Sequence, residues 1–317
     1  MSLPQIAFLF PGQGSQIVGM GKDLVQLYPV ARHTFQEADE ALGFSISQLC
    51  FEGPEQRLKM TEITQPALLT VSTAACRVLQ EKGIVPQFVA GHSLGEYSAH
   101  VAAATLDFAD AVRVVHNRGK YMQEAVPAGQ GAMAAILGFP LEQLQQTCRD
   151  AAQGEVVSAA NINSPDQIVI SGHTGAVERA SELAKQRGAK HAVMLSVSAP
   201  FHCTLMKPAQ ERLAGDLNAL KFSEPEVPVV ANFDAEMKTD AQPSREALVL
   251  QVTGAVRWLD CVQKLIQLGA TTFIEVGAGK VLTGLMRQID RSQTAMNVGD
   301  EDSLQKATNL FAATSKD

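Results

Sequence analysis

The sequence predicts an α/β fold in which a parallel-sheet core is interrupted once by a smaller βαββαβ unit. Three observations carry this. Short runs that are apolar throughout, with Ile6-Ala7-Phe8-Leu9-Phe10 first among them, have the character of strands buried on both faces. Stretches of helical periodicity separate those runs. Residues 131–199 then alternate strand and helix in an order that is complete in itself.

Composition bounds the function. At 317 residues the chain can bury a large core, and 46% hydrophobic with 19% charged residues is ordinary for a folded soluble protein. A net charge of −7 spread along the chain argues against a nucleic-acid partner. No apolar run approaches the roughly 18 residues of a membrane span, and no basic stretch leads into a cleavable apolar one at the N-terminus. Cys50, Cys76, Cys148, Cys203 and Cys261 are scattered and odd in number, which predicts reduced thiols and a cytoplasmic location.

In chain order, the first strand stops at Pro11-Gly12-Gln13-Gly14-Ser15-Gln16. A glycine-rich loop in this place invites the phosphate-binding templates, and both fail. Ile17 stands where the dinucleotide fingerprint needs its third glycine, and Gly21-Lys22 is followed by Asp23 where a Walker loop needs Ser or Thr. Exposed amides at the end of a strand can serve an oxyanion instead. Residues 22–82 read as mostly helical, broken at Gly53-Pro54, with a helix start at Thr64-Gln65-Pro66.

Phe88-Val89-Ala90 leads into Gly91-His92-Ser93-Leu94-Gly95 and then an alanine-rich helical stretch, so the motif reads as strand, sharp turn, helix. A serine there carries its hydroxyl on a strained elbow, as in α/β-hydrolase-like cores, and the following amide, that of Leu94, faces any oxyanion formed at Ser93. His92 is expected to point the other way. Helical periodicity resumes over Leu106 to Val126, and Arg118 projects inside the apolar arc between Val114 and Met122. On periodicity alone that arginine is either a structural ion pair or a fork for a substrate carboxylate.

Strands over Ala132–Leu137, Val156–Ile162, Gln167–Ser171 and His191–Val197, with helices over Leu141–Ala152 and Gly175–Arg187, give the βαββαβ order of a ferredoxin-like subdomain. Residues 130–199 are therefore assigned to the insertion, and 1–129 with 200–317 to the core. The core resumes with a helix over Thr204–Leu220, a strand at Val227–Ala231 and helices near 244–252 and 255–268. A strand at Thr272–Val276, a helix from Val281, a strand at Ala295–Val298 and a terminal helix complete it.

A nucleophilic serine needs a base, and His202 in Ala199-Pro200-Phe201-His202 lies where a strand ends and a helix begins, at a loop mouth. No acid stands out after it, so a dyad with the imidazole oriented by a backbone carbonyl is expected. An acyltransferase, a thioesterase or esterase of the same chemistry, and a nucleotide-binding regulator using the Gly12 loop remain open on these residues.

Taken together, Phe10-Pro11-Gly12-Gln13-Gly14-Ser15-Gln16, Thr64-Gln65-Pro66-Ala67, Gly91-His92-Ser93-Leu94-Gly95-Glu96-Tyr97, Arg118-Gly119, Ala160-Asn161-Ile162-Asn163-Ser164-Pro165, Pro200-Phe201-His202 and Gln251-Val252 resemble the malonyl-CoA:acyl carrier protein transacylases and the acyltransferase domains of fatty acid and polyketide synthases. The resemblance implies Ser93 as acyl-accepting nucleophile, His202 as its base and Arg118 as ligand of the malonyl carboxylate. It implies an oxyanion hole from the amides of Gln13 and Leu94, and a His202 positioned by the Gln251 main-chain carbonyl. Asn161 and Gln65 match positions near the site. Ala199-Pro200 departs from the His-Ala that often precedes Phe-His in malonyl-selective polyketide domains, but Phe201 should still crowd an α-methyl group. Malonyl-CoA and holo acyl carrier protein are the implied substrates, with no metal or other cofactor. A stand-alone chain fits the dissociated fatty acid pathway, and a monomer is expected. Lys185, Arg187 and Lys190 form the tightest basic cluster for steering an acidic carrier.

Overall fold

The computed structural model describes residues 5–197 and 199–314; Ser198, just before the Ala199-Pro200-Phe201-His202 motif, lies outside them. The first part of the core runs β1 (Ile6–Phe10), α1 (Lys22–Leu27), α2 (Pro29–Leu42), α3 (Ile46–Glu52), α4 (Glu55–Leu58), α5 (Thr61–Glu81), β2 (Phe88–Gly91), α6 (Leu94–Ala102) and α7 (Phe108–Glu124). The insertion is β3 (Gly131–Leu137), α8 (Leu141–Ala152), β4 (Val157–Ser164), β5 (Gln167–His173), α9 (Thr174–Gln186) and β6 (His191–Met194). A 3-10 turn at Thr204–Met206 opens the return to the core: α10 (Lys207–Ala219), β7 (Val229–Val230), β8 (Met237–Lys238), α11 (Ala241–Gln251), α12 (Trp258–Gln267), β9 (Thr272–Val276), α13 (Val281–Ile289), β10 (Thr294–Val298) and α14 (Glu301–Thr314).

The main sheet has the order β10-β9-β1-β2-β7-β8, parallel except at β7-β8. All five residues of β1 are buried, because helices cover both faces. Phe8 and Phe10 enter the cluster under α5 and α7, while Ala7 and Leu9 face Trp258 and Val262 of α12. The second sheet, β4-β5-β3-β6, is antiparallel throughout, with α8 and α9 packed on one face around Leu144, Ile170 and Val177. That is the ferredoxin-like strand order. It rests on the core by backbone pairing: the Ile162 N–H donates to Val256 O at 2.9 Å and the Val256 N–H to Ala160 O at 2.8 Å. The cleft between the two sheets therefore has β4 as one wall.

The expected helix start at Thr64-Gln65-Pro66 is corrected. Helix α5 begins at Thr61 and carries Pro66 inside it. Proline has no N–H to give to the Glu62 carbonyl, and the His116 Nδ1 fills that role from α7 at 2.7 Å. One turn further along α7, Gly119 lies on the backbone of Thr61 and Glu62, where any Cβ would collide. This close approach of α5 and α7 brings Gln65 and Arg118 face to face. Among the described residues no helix is long and apolar enough to cross a membrane.

Helix α6 buries His100 with, among the described residues, no partner on either ring nitrogen. Burial pushes its pKa down to about 3, and burial followed by the Arg118 charge does the same to His202. Unfolding lets both imidazoles bind protons they refuse in the native state, so stability rises with pH from about 3 to 6.5 and is lost as pH falls. Glu96 and Glu275, whose pKa values burial raises, act in the opposite sense. We expect His100→Leu to flatten the acid-side slope of urea-unfolding free energy between pH 6 and 4 by about 1.4 kcal/mol per pH unit, one proton's share. An unchanged slope would show that His100 is not buried neutral.

Candidate active site

Strand β2 ends at Gly91, the chain turns at His92-Ser93, and α6 begins at Leu94. Ser93 sits at φ 52 and ψ −102, a conformation that side chains rarely adopt. A Cβ on Gly95 would run into the Phe10 carbonyl, so only glycine lets α6 start this close to β1. The turn is held from outside the motif. Ser93 N–H donates to Asn232 Oδ1 at 2.7 Å, and Asn232 Nδ2 donates to Gly91 O at 2.8 Å. Among the described residues the N–H groups of Gln13 and Leu94 have no intramolecular acceptor, and both residues line a cleft of about 500 Å³ that contains Ser93. Two free donors beside a helix N-terminus are suited to hold an oxyanion.

His202 also lies at positive φ, 58, which turns its ring from the loop before α10 back toward the elbow. Its Nδ1 is 3.0 Å from the Gln251 main-chain oxygen and its Nε2 2.7 Å from Ser93 Oγ. A carbonyl only accepts, so Nδ1 carries the hydrogen and Nε2 is left to receive the Ser93 proton. The depressed pKa keeps the ring neutral, as a base must be.

Arg118 is 1% exposed, yet among the described residues no carboxylate touches it. Nη1 donates to Gln65 Oε1 at 2.8 Å, while Nη2 donates to Gln251 Oε1 at 2.9 Å and to Ser93 Oγ at 3.1 Å. Its guanidinium carbon stands 5.4 Å from the Tyr97 ring centre. A buried cation whose hydrogen-bond partners are all neutral has no carboxylate in direct contact among the described residues, and it faces the cleft. The arrangement suits an acyl group on Ser93 that carries its own carboxylate.

Gln13, Leu94, Gln65, Asn161, Phe201 and His202 all line this cleft, and Gln251 lies behind it. His92 also lines the cleft, but its ring is turned to partners other than the Ser93 hydroxyl, with Nε2 2.8 Å from Asn163 Oδ1 on β4 and the ring tilted against Trp258. In the basic cluster, Arg187 pairs with Asp150 at 2.6 Å and Lys185 lies 3.7 Å from Glu182, so two of its three cations have acidic neighbours. Sequence reasoning overlooked Asn232 and the carboxyl of Glu96, which is 0% exposed and accepts from Gln251 Nε2 at 2.8 Å and Asn232 N at 2.9 Å. Asn232 had no local signal, since it lies 139 residues from the serine it holds. Among the described residues no three His, Cys, Asp or Glu side chains are grouped to hold a metal.

The acyl transferase domain family model matches residues 7–310. The malonyl CoA-acyl carrier protein transacylase of Bacillus subtilis is 50% identical over 306 residues, covering 96% of both chains. Among solved structures, an acyl carrier protein S-malonyltransferase from Vibrio cholerae superposes with a TM-score of 0.94 at 49% identity, covering 96% of this chain and 99% of its own. A malonyl-transacylase solved in complex with its type II polyketide synthase acyl-carrier protein superposes equally well, at 0.94 and 47% identity, with 96% and 99% coverage.

Proposed function

Because this chain belongs to the acyl transferase domain family, we propose that it moves a malonyl group from malonyl-CoA to the phosphopantetheine thiol of an acyl carrier protein through an ester on Ser93. The observation that carries the choice of malonyl is the buried Arg118, 3.1 Å from the Ser93 hydroxyl and without a carboxylate partner.

In this mechanism the Ser93 oxygen attacks the thioester carbonyl as His202 Nε2 takes its proton. The Gln13 and Leu94 amides hold the oxyanion while Arg118 holds the distal carboxylate. Collapse of the tetrahedral adduct breaks the carbon–sulfur bond, and the His202 proton leaves on the CoA thiol. The carrier thiol then gives its proton to His202 and attacks the ester carbonyl; collapse breaks the bond to the Ser93 oxygen, and His202 returns the proton to that oxygen. Both halves use one site, so the kinetics are ping-pong. Each bond is accounted for by these residues and the two substrates, so this reading requires no metal or redox group. All its residues come from one chain, so this reading needs no residue from a second copy. The five free, buried cysteines are in keeping with the cytoplasm.

Intact mass after mixing with malonyl-CoA tests the proposal. The expected product is a single malonyl adduct at Ser93 that persists in buffer and is discharged by holo carrier protein. Rapid discharge by water would make the chain a thioesterase instead.

A further inference from the structure

We propose that Glu96 is a positioning residue for the transfer: its buried carboxyl decides which way round the Gln251 side-chain amide sits, and through that amide it aims Arg118 at the acyl carboxylate. The role presupposes the malonyl-transfer reading above.

An amide group is nearly symmetric in shape, so its orientation is set by what it meets. Arg118 has donors only, and its Nη2 lies 2.9 Å from Gln251 Oε1. The opposite end of the amide must then find acceptors. It finds Glu96 Oε2 at 2.8 Å and the Ser93 carbonyl at 3.0 Å, with Asn232 Oδ1 more distant at 3.5 Å. Glu96 Oε2 is itself fixed by the Asn232 N–H at 2.9 Å, so the acceptor cannot drift. Turned around, the amide would set NH2 against a guanidinium and oxygen against two oxygens, and Gln251 and Glu96 are both fully buried, where such clashes are costly. With Glu96 gone, the nearest acceptor is lost and only the Ser93 carbonyl and the more distant Asn232 Oδ1 hold that end of the amide against reversal. Gln251 would then release Arg118 Nη2, leaving the guanidinium anchored by Gln65 and by the reacting Ser93 hydroxyl.

Glu96 does not line the cleft, so it acts through Gln251 and not on the substrate. Burial raises its pKa to about 7, and its other oxygen, Oε1, has no partner among the described residues. A proton on Oε1 leaves Oε2 free to accept. The acceptor geometry therefore survives protonation, and a glutamine, which keeps one oxygen at the same reach, should replace Glu96.

The test compares initial rates of Ser93 acylation from malonyl-CoA and from acetyl-CoA, with a thermal melt for each protein. Glu96→Ala removes the acceptor, and Glu96→Asp keeps the charge but is one methylene too short to reach both donors. Both should lower the malonyl-to-acetyl ratio of kcat/KM roughly tenfold or more, whereas Glu96→Gln should stay within about threefold of wild type. If Glu96→Ala fails to fold, Glu96→Asp carries the comparison. Equal losses on both donors would make Glu96 merely structural and overturn the proposal. So would a Glu96→Gln protein as poor as Glu96→Asp, because charge rather than acceptor geometry would then be at work. A wild-type chain that takes no malonyl group overturns the function itself; an acylated wild type whose variants keep its ratio overturns only the role of Glu96.

Discussion

Ser93→Ala should eliminate the acyl adduct, and His202→Ala should slow its formation by about 10²–10⁴-fold while CoA affinity stays near wild type. The magnitude follows from the work assigned to one ring. Nε2 stands 2.7 Å from the Ser93 oxygen and is, among the described residues, the only base in contact with it. Removing the ring leaves the oxyanion amides and the cleft in place, so the loss belongs to kcat for acylation and not to binding. Because burial and the Arg118 charge hold the His202 pKa down to about 3, the wild-type acylation rate should not fall through protonation of this base as pH drops from 8 to 5. Quenched-flow mass measurement with isothermal titration of CoA reads both quantities. Near-normal acylation by His202→Ala would mean that another group takes the proton.

Arg118→Ala should lower the malonyl-to-acetyl ratio of kcat/KM by two to three orders of magnitude, about 3–5 kcal/mol at 1.4 kcal/mol per factor of ten. The guanidinium is 1% exposed, its neighbours are the neutral amides of Gln65 and Gln251, and its pKa is lowered by burial. A malonyl carboxylate brought there meets a cation already stripped of water and oriented, so losing the cation leaves that carboxylate buried alone. An acetyl group presents no such charge, and its transfer should be unchanged or faster. Some stability is expected to go as well, since Gln65 Oε1 and Gln251 Oε1 each lose a donor. A melt alongside the two rates separates this effect, because instability lowers both donors together. A preserved ratio would leave the carboxylate without its ligand.

The local features were legible because their causes are local. An unbroken apolar run becomes a strand covered on both faces, as in β1, and a serine between closely spaced glycines becomes an elbow, since only glycine allows α6 to start against β1. The period of α7 alone turned Arg118 inward, and its burial followed. What lay beyond the sequence were contacts between segments far apart in the chain. Pro66 looked like a helix start because the residue that replaces its missing hydrogen bond, His116, sits on another helix. The basic run near Lys185 looked free because Asp150, which meets Arg187, comes from α8. Glu96 stands in the elbow motif with nothing beside it in the sequence to give it a role, and only the fold places Gln251 and Asn232 around its carboxyl. Periodicity and turn chemistry act between near neighbours and can be read along a line, whereas a buried polar group takes its role from partners that the folded chain alone brings within 3 Å.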